Sequence, residues 1–186
     1  MFNTIIANNL KQFRNSRGWS LARAADETGV SKAMLGQIER GESSPTMATL
    51  WKITQGFQIP MSVVLEPPRD NSQSVEHQSK KQLSFDENIQ FRVLFAFDPL
   101  LRCEMFAHQL APGKTHLSSS HERGVIEDII VIEGALEIKL TDQWQLLQAG
   151  ETLRFKADQD HGYRNSSAER TIFHNVIHYP KTIADH

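Results

Sequence analysis

At 186 residues, with 39% hydrophobic and 23% charged side chains, the chain has room for one sizeable domain or two small ones and enough apolar material for real cores. Its formal net charge of -2 excludes a nucleic-acid-binding coat over the whole surface, and its single cysteine, Cys103, excludes an intramolecular disulfide and fits a reducing compartment. The charge is unevenly spread: residues 1–70 hold eight Lys and Arg against six Asp and Glu, a local +2 that leaves -4 for the remainder.

The N-terminus, MFNTIIANNLKQFRNSRGWS, lacks the continuous apolar stretch of a signal peptide, and no later run approaches bilayer-spanning length. A soluble, cytoplasmic protein with no membrane partner is expected. Up to about Leu65 the apolar spacing is helical, with Phe2, Ile6, Leu10 and Phe13 on one face, and Gly18 ends this first helix. Ser20 can cap a second helix, LARAADET, closed by Gly29; Ser31 can cap a third, SKAMLGQIER, closed by Gly41. Thr46 can cap a fourth, with Met47, Leu50, Ile53 and Phe57 inward, and Pro60 and Met61 open a short fifth. Ala25 is the small residue expected where two of these helices cross closely.

Residues 67–82, PPRDNSQSVEHQSKKQ, contain one apolar residue, Val75, and predict a polar linker. From Leu83 the period changes to two. FRVLFAF, CEMFAHQL, EDIIVIEG, ALEIKL, ETLRF and RTIFHNVIHYP are strand-like segments between turn signals. The fold expected is therefore α+β and multidomain: an all-α five-helix domain over 1–66, the linker over 67–82, and an all-β sandwich or barrel over 83–186.

In the helical half, ARAADETGVSKAMLGQIER places a glycine turn between two helices, with Val30, Leu35 and Ile38 pinning the second to the core. Ser31, Lys32, Ala33 and Gln37 remain outward, a set of hydroxyl, cation, methyl and amide groups that can address base edges in a major groove. The helix N-termini at Ser20 and Ser31 offer free N–H groups to phosphate. Met34 is expected to pack rather than to read a base. The stretch resembles the phage-repressor (XRE) helix-turn-helix family over roughly residues 5–65, through LxxxRxxRGWSLxxxAxxTGVSxxxLxxIERGxxxPTxxTLxKI. That resemblance implies base contacts from Lys32, Ala33 and Gln37, phosphate contacts near Ser20 and the Arg40–Ser43 loop, and a buried ion pair between Arg14 and Glu39.

In the strand half, His121, Arg123, Glu127 and Gly134, followed by Gly150, His161 and Asn165, resemble the two motifs of the small cupin (double-stranded β-helix) barrel over roughly residues 85–180. Arg123 stands where the family carries its second histidine; Lys156 and Asp158 replace a proline and a glycine. If residues 121–131 are extended, parity puts His121, Arg123, Glu127, Ile129 and Val131 on one face, and His161, Tyr163 and Asn165 share a face likewise. Two histidines and a carboxylate suit Fe, Mn, Ni or Zn, whereas a guanidinium about 4 Å from such an ion costs several kcal/mol. Three arrangements are open: an internal Arg123–Glu127 salt bridge; a His121–Glu127–His161 metal site with Arg123 turned outward; and a metal-free pocket for a small, anionic effector gripped by Arg123, Tyr163 and His161. His108, His116, His174 and His178 are weaker candidates.

Together the two resemblances imply a homodimeric, sequence-specific transcriptional regulator on a pseudo-palindromic double-stranded DNA operator, with no enzyme activity, its cupin barrel sensing a small molecule. The rival expectation is a metal-dependent cupin enzyme, of dioxygenase or isomerase type, fused to a DNA-binding head.

Overall fold

The chain divides into two compact units, Met1–His77 and Gln78–His186. The computed structural model describes residues 2–65, 83–84 and 88–180, and the predicted linker, 67–82, lies wholly outside them. Among the described residues no helix is long and apolar enough to cross a membrane.

Hydroxyl side chains start three of the five N-terminal helices. The helices are α1 (Phe2–Ser16), α2 (Leu21–Thr28), α3 (Lys32–Glu39), α4 (Met47–Gly56) and α5 (Met61–Leu65). Ser20 accepts from the Arg23 amide at 3.1 Å, Ser31 from Met34 at 3.2 Å and Thr46 from Thr49 at 3.2 Å, each satisfying a donor that the helix itself cannot. Gly29 ends α2 at a left-handed φ of 63°, its amide bonded to Ala25 O at 2.9 Å, and so turns the chain into α3. Ile6 and Leu10 of α1, Leu35 and Ile38 of α3, and Leu50, Ile53 and Phe57 from the α4 region are each at most 1% exposed and form the core. The tight crossing differs from the sequence expectation. Ala25 is half-buried while Ala24 is fully buried, and a close approach is made by Gly56 of α4. A Cβ there would stand 2.5 Å from Glu27 O and 2.6 Å from Thr28 Cα, so only glycine admits this contact between α2 and α4.

Arg14 ties α1 to α3. Its Nε and Nη2 donate to the two oxygens of Glu39 at 2.6 and 2.8 Å, and Nη1 donates to Trp19 O at 2.8 Å. The side chains are only 14% and 7% exposed, so each charge relies on the other.

The second unit is an antiparallel β sandwich of two sheets. One has the order β1 (Leu83–Ser84), β2 (Ile89–Asp98), β3 (Cys103–Leu110), β10 (Thr171–His178), β5 (Ile126–Glu133), β8 (Thr152–Lys156). The other runs β4 (Thr115–Ser118), β9 (His161–Arg164), β6 (Ala135–Leu140), β7 (Gln143–Gln148). Alternation along β3, β5 and β10 sends every second residue inward, and Phe106, Leu110, Ile129, Val131 and Phe173 are nearly solvent-free there. β1, β4, β7 and β9 have no counterpart in the strands read from sequence. β4 and β9 have four residues each, β7 buries only Leu147, and β9 turns His161 and Tyr163 inward instead of aliphatic groups.

Removing one partner of the Arg14–Glu39 pair leaves a largely buried charge uncompensated. Glu39→Ala is expected to destabilise the helical unit by about 3 kcal/mol in chemical denaturation; a loss below about 1 kcal/mol would show that the pair does not hold α1 to α3.

Candidate functional site

The outward side of α3 carries Lys32, Ala33 and Gln37, all exposed, with Ser31 at its start. A shallow hollow between α2 and α3 is lined by Leu21, Lys32, Ala33, Gly36, Gln37 and Arg40. Arg40 is exposed and grips Glu42 through two hydrogen bonds, Nε to Oε1 at 2.8 Å and Nη2 to Oε2 at 2.6 Å. Ser20 is exposed at the start of α2, and Ser43 is half-buried in the loop after α3. Met34, expected to pack, is 38% exposed on the same helix as Lys32, Ala33 and Gln37. Cation, amide, methyl and thioether groups thus share one accessible helix of the size a major groove admits.

In the sandwich the residues converge on one carboxylate. Glu127 projects inward from β5 and is 1% exposed. Its Oε1 lies 2.7 Å from His121 Nε2 and 3.5 Å from His161 Nε2. Its Oε2 accepts from the Tyr163 hydroxyl on β9 and from Asn175 Nδ2 on β10 at 3.0 Å. The two imidazoles stack with centroids 5.6 Å apart. His161 Nδ1 meets Gln159 O at 2.9 Å; a carbonyl only accepts, so Nδ1 carries the proton, and in the neutral ring Nε2 presents a lone pair. That Nε2 is buried without a hydrogen-bond partner.

The electrostatics follow from burial. Desolvation opposes the charge on Glu127, but the neighbouring imidazoles of His121 and His161 outweigh it and hold the carboxyl well below its usual range. Burial lowers the His161 pKa, but Glu127 and the Gln159 carbonyl outweigh this and raise it. Burial and the neighbouring carboxylate push the Tyr163 phenol far up, so it remains a donor. Burial drives His108, stacked 4.9 Å from Phe173 inside the barrel, down to about 3 and keeps it neutral.

Arg123 is outside this cluster. Residues 121–125 form a turn and β5 begins at Ile126, so the parity expected for 121–131 does not extend to Arg123, which is exposed. Val125 N bonds to Glu122 O at 3.1 Å across the turn. The turn is clamped to the segment after β8: His121 N donates to Ala157 O at 2.8 Å, Ala157 N to Val125 O at 2.9 Å, and Gly124 N to Asp158 Oδ2 at 3.3 Å. Asp158, a departure from the cupin motif, therefore helps to hold the turn that swings His121 in and Arg123 out. The available signal was Gly124, a glycine inside what parity treated as strand, which takes a left-handed φ of 89°.

Asn165 is buried but is not directed at Glu127. Its Oδ1 accepts from Ser167 N at 2.9 Å and Ser167 Oγ at 2.7 Å, and its Nδ2 donates to Glu169 O at 2.7 Å. It closes the loop before β10. Three interior polar residues had no motif to reveal them: Asn175; Glu104, which accepts from Tyr179 Oη at 2.6 Å; and His108, considered only as a weak candidate. His116 is half-buried on β4, His174 and His178 are half-buried on β10, and His178 meets Asp128 at 3.0 Å. Among the described buried residues of this unit the acids are Glu104 and Glu127, and there is no Lys or Arg.

The donor set fits a divalent cation. One ligand atom from each of His121, Glu127 and His161 lies within 4.8 Å of the others, all three residues are buried, and the His161 lone pair lacks a partner. Two imidazoles and one carboxylate leave coordination positions free for other ligands.

An accessible helix-turn-helix reading face and a buried two-histidine, one-carboxylate centre in a double-stranded β-helix define a class: DNA-binding transcriptional regulators built from a helix-turn-helix and a cupin domain. A helix-turn-helix family model matches residues 10–64 and a cupin domain model residues 106–177. The chain is 46% identical over 177 residues to the HTH-type transcriptional regulator SutR of Escherichia coli (strain K12), spanning 95% of this chain and 96% of that one. The crystal structure of an HTH_3 family transcriptional regulator from Vibrio cholerae superposes with a TM-score of 0.80 at 44% identity, covering 97% and 98% of the two chains. The Cupin_2 domain of an XRE family transcriptional regulator from Enterobacter cloacae is 41% identical with a TM-score of 0.50, covering 51% of this chain and all of that one. The chain belongs to this family of helix-turn-helix transcriptional regulators with a C-terminal cupin domain.

The Glu127–histidine cluster gives the metal-free protein a defined acid–base profile. Glu127, with its lowered pKa, contributes stability present above the ordinary value of 4.5 and lost as pH falls through its folded pKa. His161, with its raised pKa, contributes stability present below 6.5 and lost as pH rises through its folded pKa. Thermal melts in the presence of chelator should therefore show the cupin unit most stable between about pH 4.5 and 6.5, and His161→Ala should flatten the upper limb.

Proposed function

We propose that this chain is a sequence-specific regulator that binds, as a homodimer, a pseudo-palindromic double-stranded DNA operator, and that its cupin barrel holds a divalent cation, Fe, Mn, Ni or Zn, as the seat of a small effector. The observation that carries the cupin half is the buried His121–Glu127–His161 cluster with an unpartnered lone pair on His161. Such a cluster with one negative charge stabilises a cation, not an anion. An anionic effector is still compatible, because a divalent ion held by one carboxylate keeps positive charge and open positions for it. In that arrangement Arg123, exposed on its turn, has no part in the grip. His121, Glu127 and His161 would hold the ion, and Tyr163 and Asn175 brace the carboxylate.

In the head, Lys32, Ala33 and Gln37 are assigned to base edges, and Ser20, Ser31, Arg40 and Ser43 to the phosphate backbone. The effector switches DNA binding only if its affinity differs between the reading-competent and incompetent states of the dimer. Relatives spanning the whole chain are named as transcriptional regulators, which supports regulation over the rival of a DNA-tethered dioxygenase or isomerase.

Two measurements test this. Metal analysis of purified protein should return about one ion per chain, lost in His161→Ala; operator affinity identical with and without metal would rule out a sensing role for that site. On an operator selected from random DNA, Gln37→Ala should relax preference at one or two base pairs, by about 1–3 kcal/mol of discrimination each. Arg40→Ala should instead weaken all sequences alike and reduce the salt slope by about one. If neither substitution changes binding, α3 is not the reading helix.

A further inference from the structure

The two oxygens of Glu127 are used differently. Oε1 faces both imidazoles, His121 Nε2 at 2.7 Å and His161 Nε2 at 3.5 Å. Oε2 faces neither; it accepts from the Tyr163 hydroxyl and from Asn175 Nδ2 at 3.0 Å. A carboxylate oxygen has two lone-pair sites, so these two donors fill Oε2. The assignment of the Asn175 amide follows from chemistry, because an ionised carboxylate only accepts and the NH2 must face it. The donors are rigidly held. Tyr163 and Asn175 are each 4% exposed, and they come from opposite sheets, β9 and β10. Asn175 sits in register between Phe106 on β3 and Ile129 on β5.

We infer that Tyr163 and Asn175 are positioning residues that make Glu127 a one-oxygen ligand, keeping Oε2 away from the cation and so leaving a coordination position open for an incoming ligand. The inference rests on the metal reading proposed above. A chelating carboxylate would have to break one of two buried hydrogen bonds to bring its second oxygen to the ion, and a buried donor left unmade is costly. Asn175 keeps one acceptor in reserve: its Oδ1 is buried without a hydrogen-bond partner.

Co(II) is a suitable probe because its visible d–d absorption weakens as coordination number rises. The full-length protein is freed of metal with chelator and titrated with Co(II) alone, for wild type, Tyr163→Phe, Asn175→Ala and His161→Ala. Tyr163→Phe removes only a hydroxyl, and Asn175→Ala removes the other donor, so the two variants test the brace independently of how either affects folding. Both should bind Co(II) with a Kd roughly tenfold or more above that of wild type. At saturation both should show a weaker d–d band as the released oxygen joins the ion. An unchanged band in both variants, or an unchanged Kd in both, overturns the positioning role while leaving the metal site standing. If wild type binds no Co(II), or His161→Ala binds it equally well, the metal reading itself fails and takes this inference with it.

Discussion

A carboxylate with 1% exposure has to be met by donors, and much of the cupin unit is organised around meeting Glu127. Four separate segments contribute: β5 supplies the carboxylate, the 121–125 turn brings His121, β9 brings His161 and Tyr163, and β10 brings Asn175. β5 and β10 belong to one sheet and β9 to the other, so the same hydrogen bonds that stabilise the charge also tie the two sheets together. The proposed binding and the folding therefore draw on one set of interactions. The donors keep the site charged at neutral pH, and the charge keeps the site attractive to a cation.

The head obeys a parallel constraint with a different outcome. Arg14 and Glu39 neutralise one another between α1 and α3, so the helical unit spends a buried ion pair on fixing α3. Arg40 and Glu42 make the same two-pronged contact in full solvent, where it adds little to stability and the guanidinium can exchange carboxylate for phosphate. Burial decides whether the same chemistry acts as scaffold or as contact surface.

The elements of the head were legible because its punctuation is local. A hydroxyl three residues before an orphan amide and a glycine at a left-handed position determine helix ends without reference to the rest of the chain. The long strands of the barrel were legible for a similar reason, since alternation has a period of two wherever one face is dry. The short strands β4 and β9 were not, because they carry few aliphatic residues and pair with each other across more than forty residues of chain, and β7 was not, because only Leu147 is buried on it and its alternation is weak. The crossing at Gly56 was misplaced onto Ala25, because a sequence shows small residues but not which of them another backbone approaches.

His121, Glu127 and His161 could be named from spacing alone as residues able to share a cation, and Lys32, Ala33 and Gln37 as groups able to face a groove. Those are properties of residue type and period. Only the tertiary structure decided that Arg123 leaves the site, that Asn165 closes a loop, and that Asn175 braces the carboxylate. The first and the last depend on hydrogen bonds to partners distant in sequence, Gly124 to Asp158 and Asn175 to Glu127, while Asn165 adds one to Leu110 beside its local bonds to Ser167 and Glu169. Side-chain direction within a strand follows from the chain itself, whereas direction at a turn is set by what the turn is bonded to.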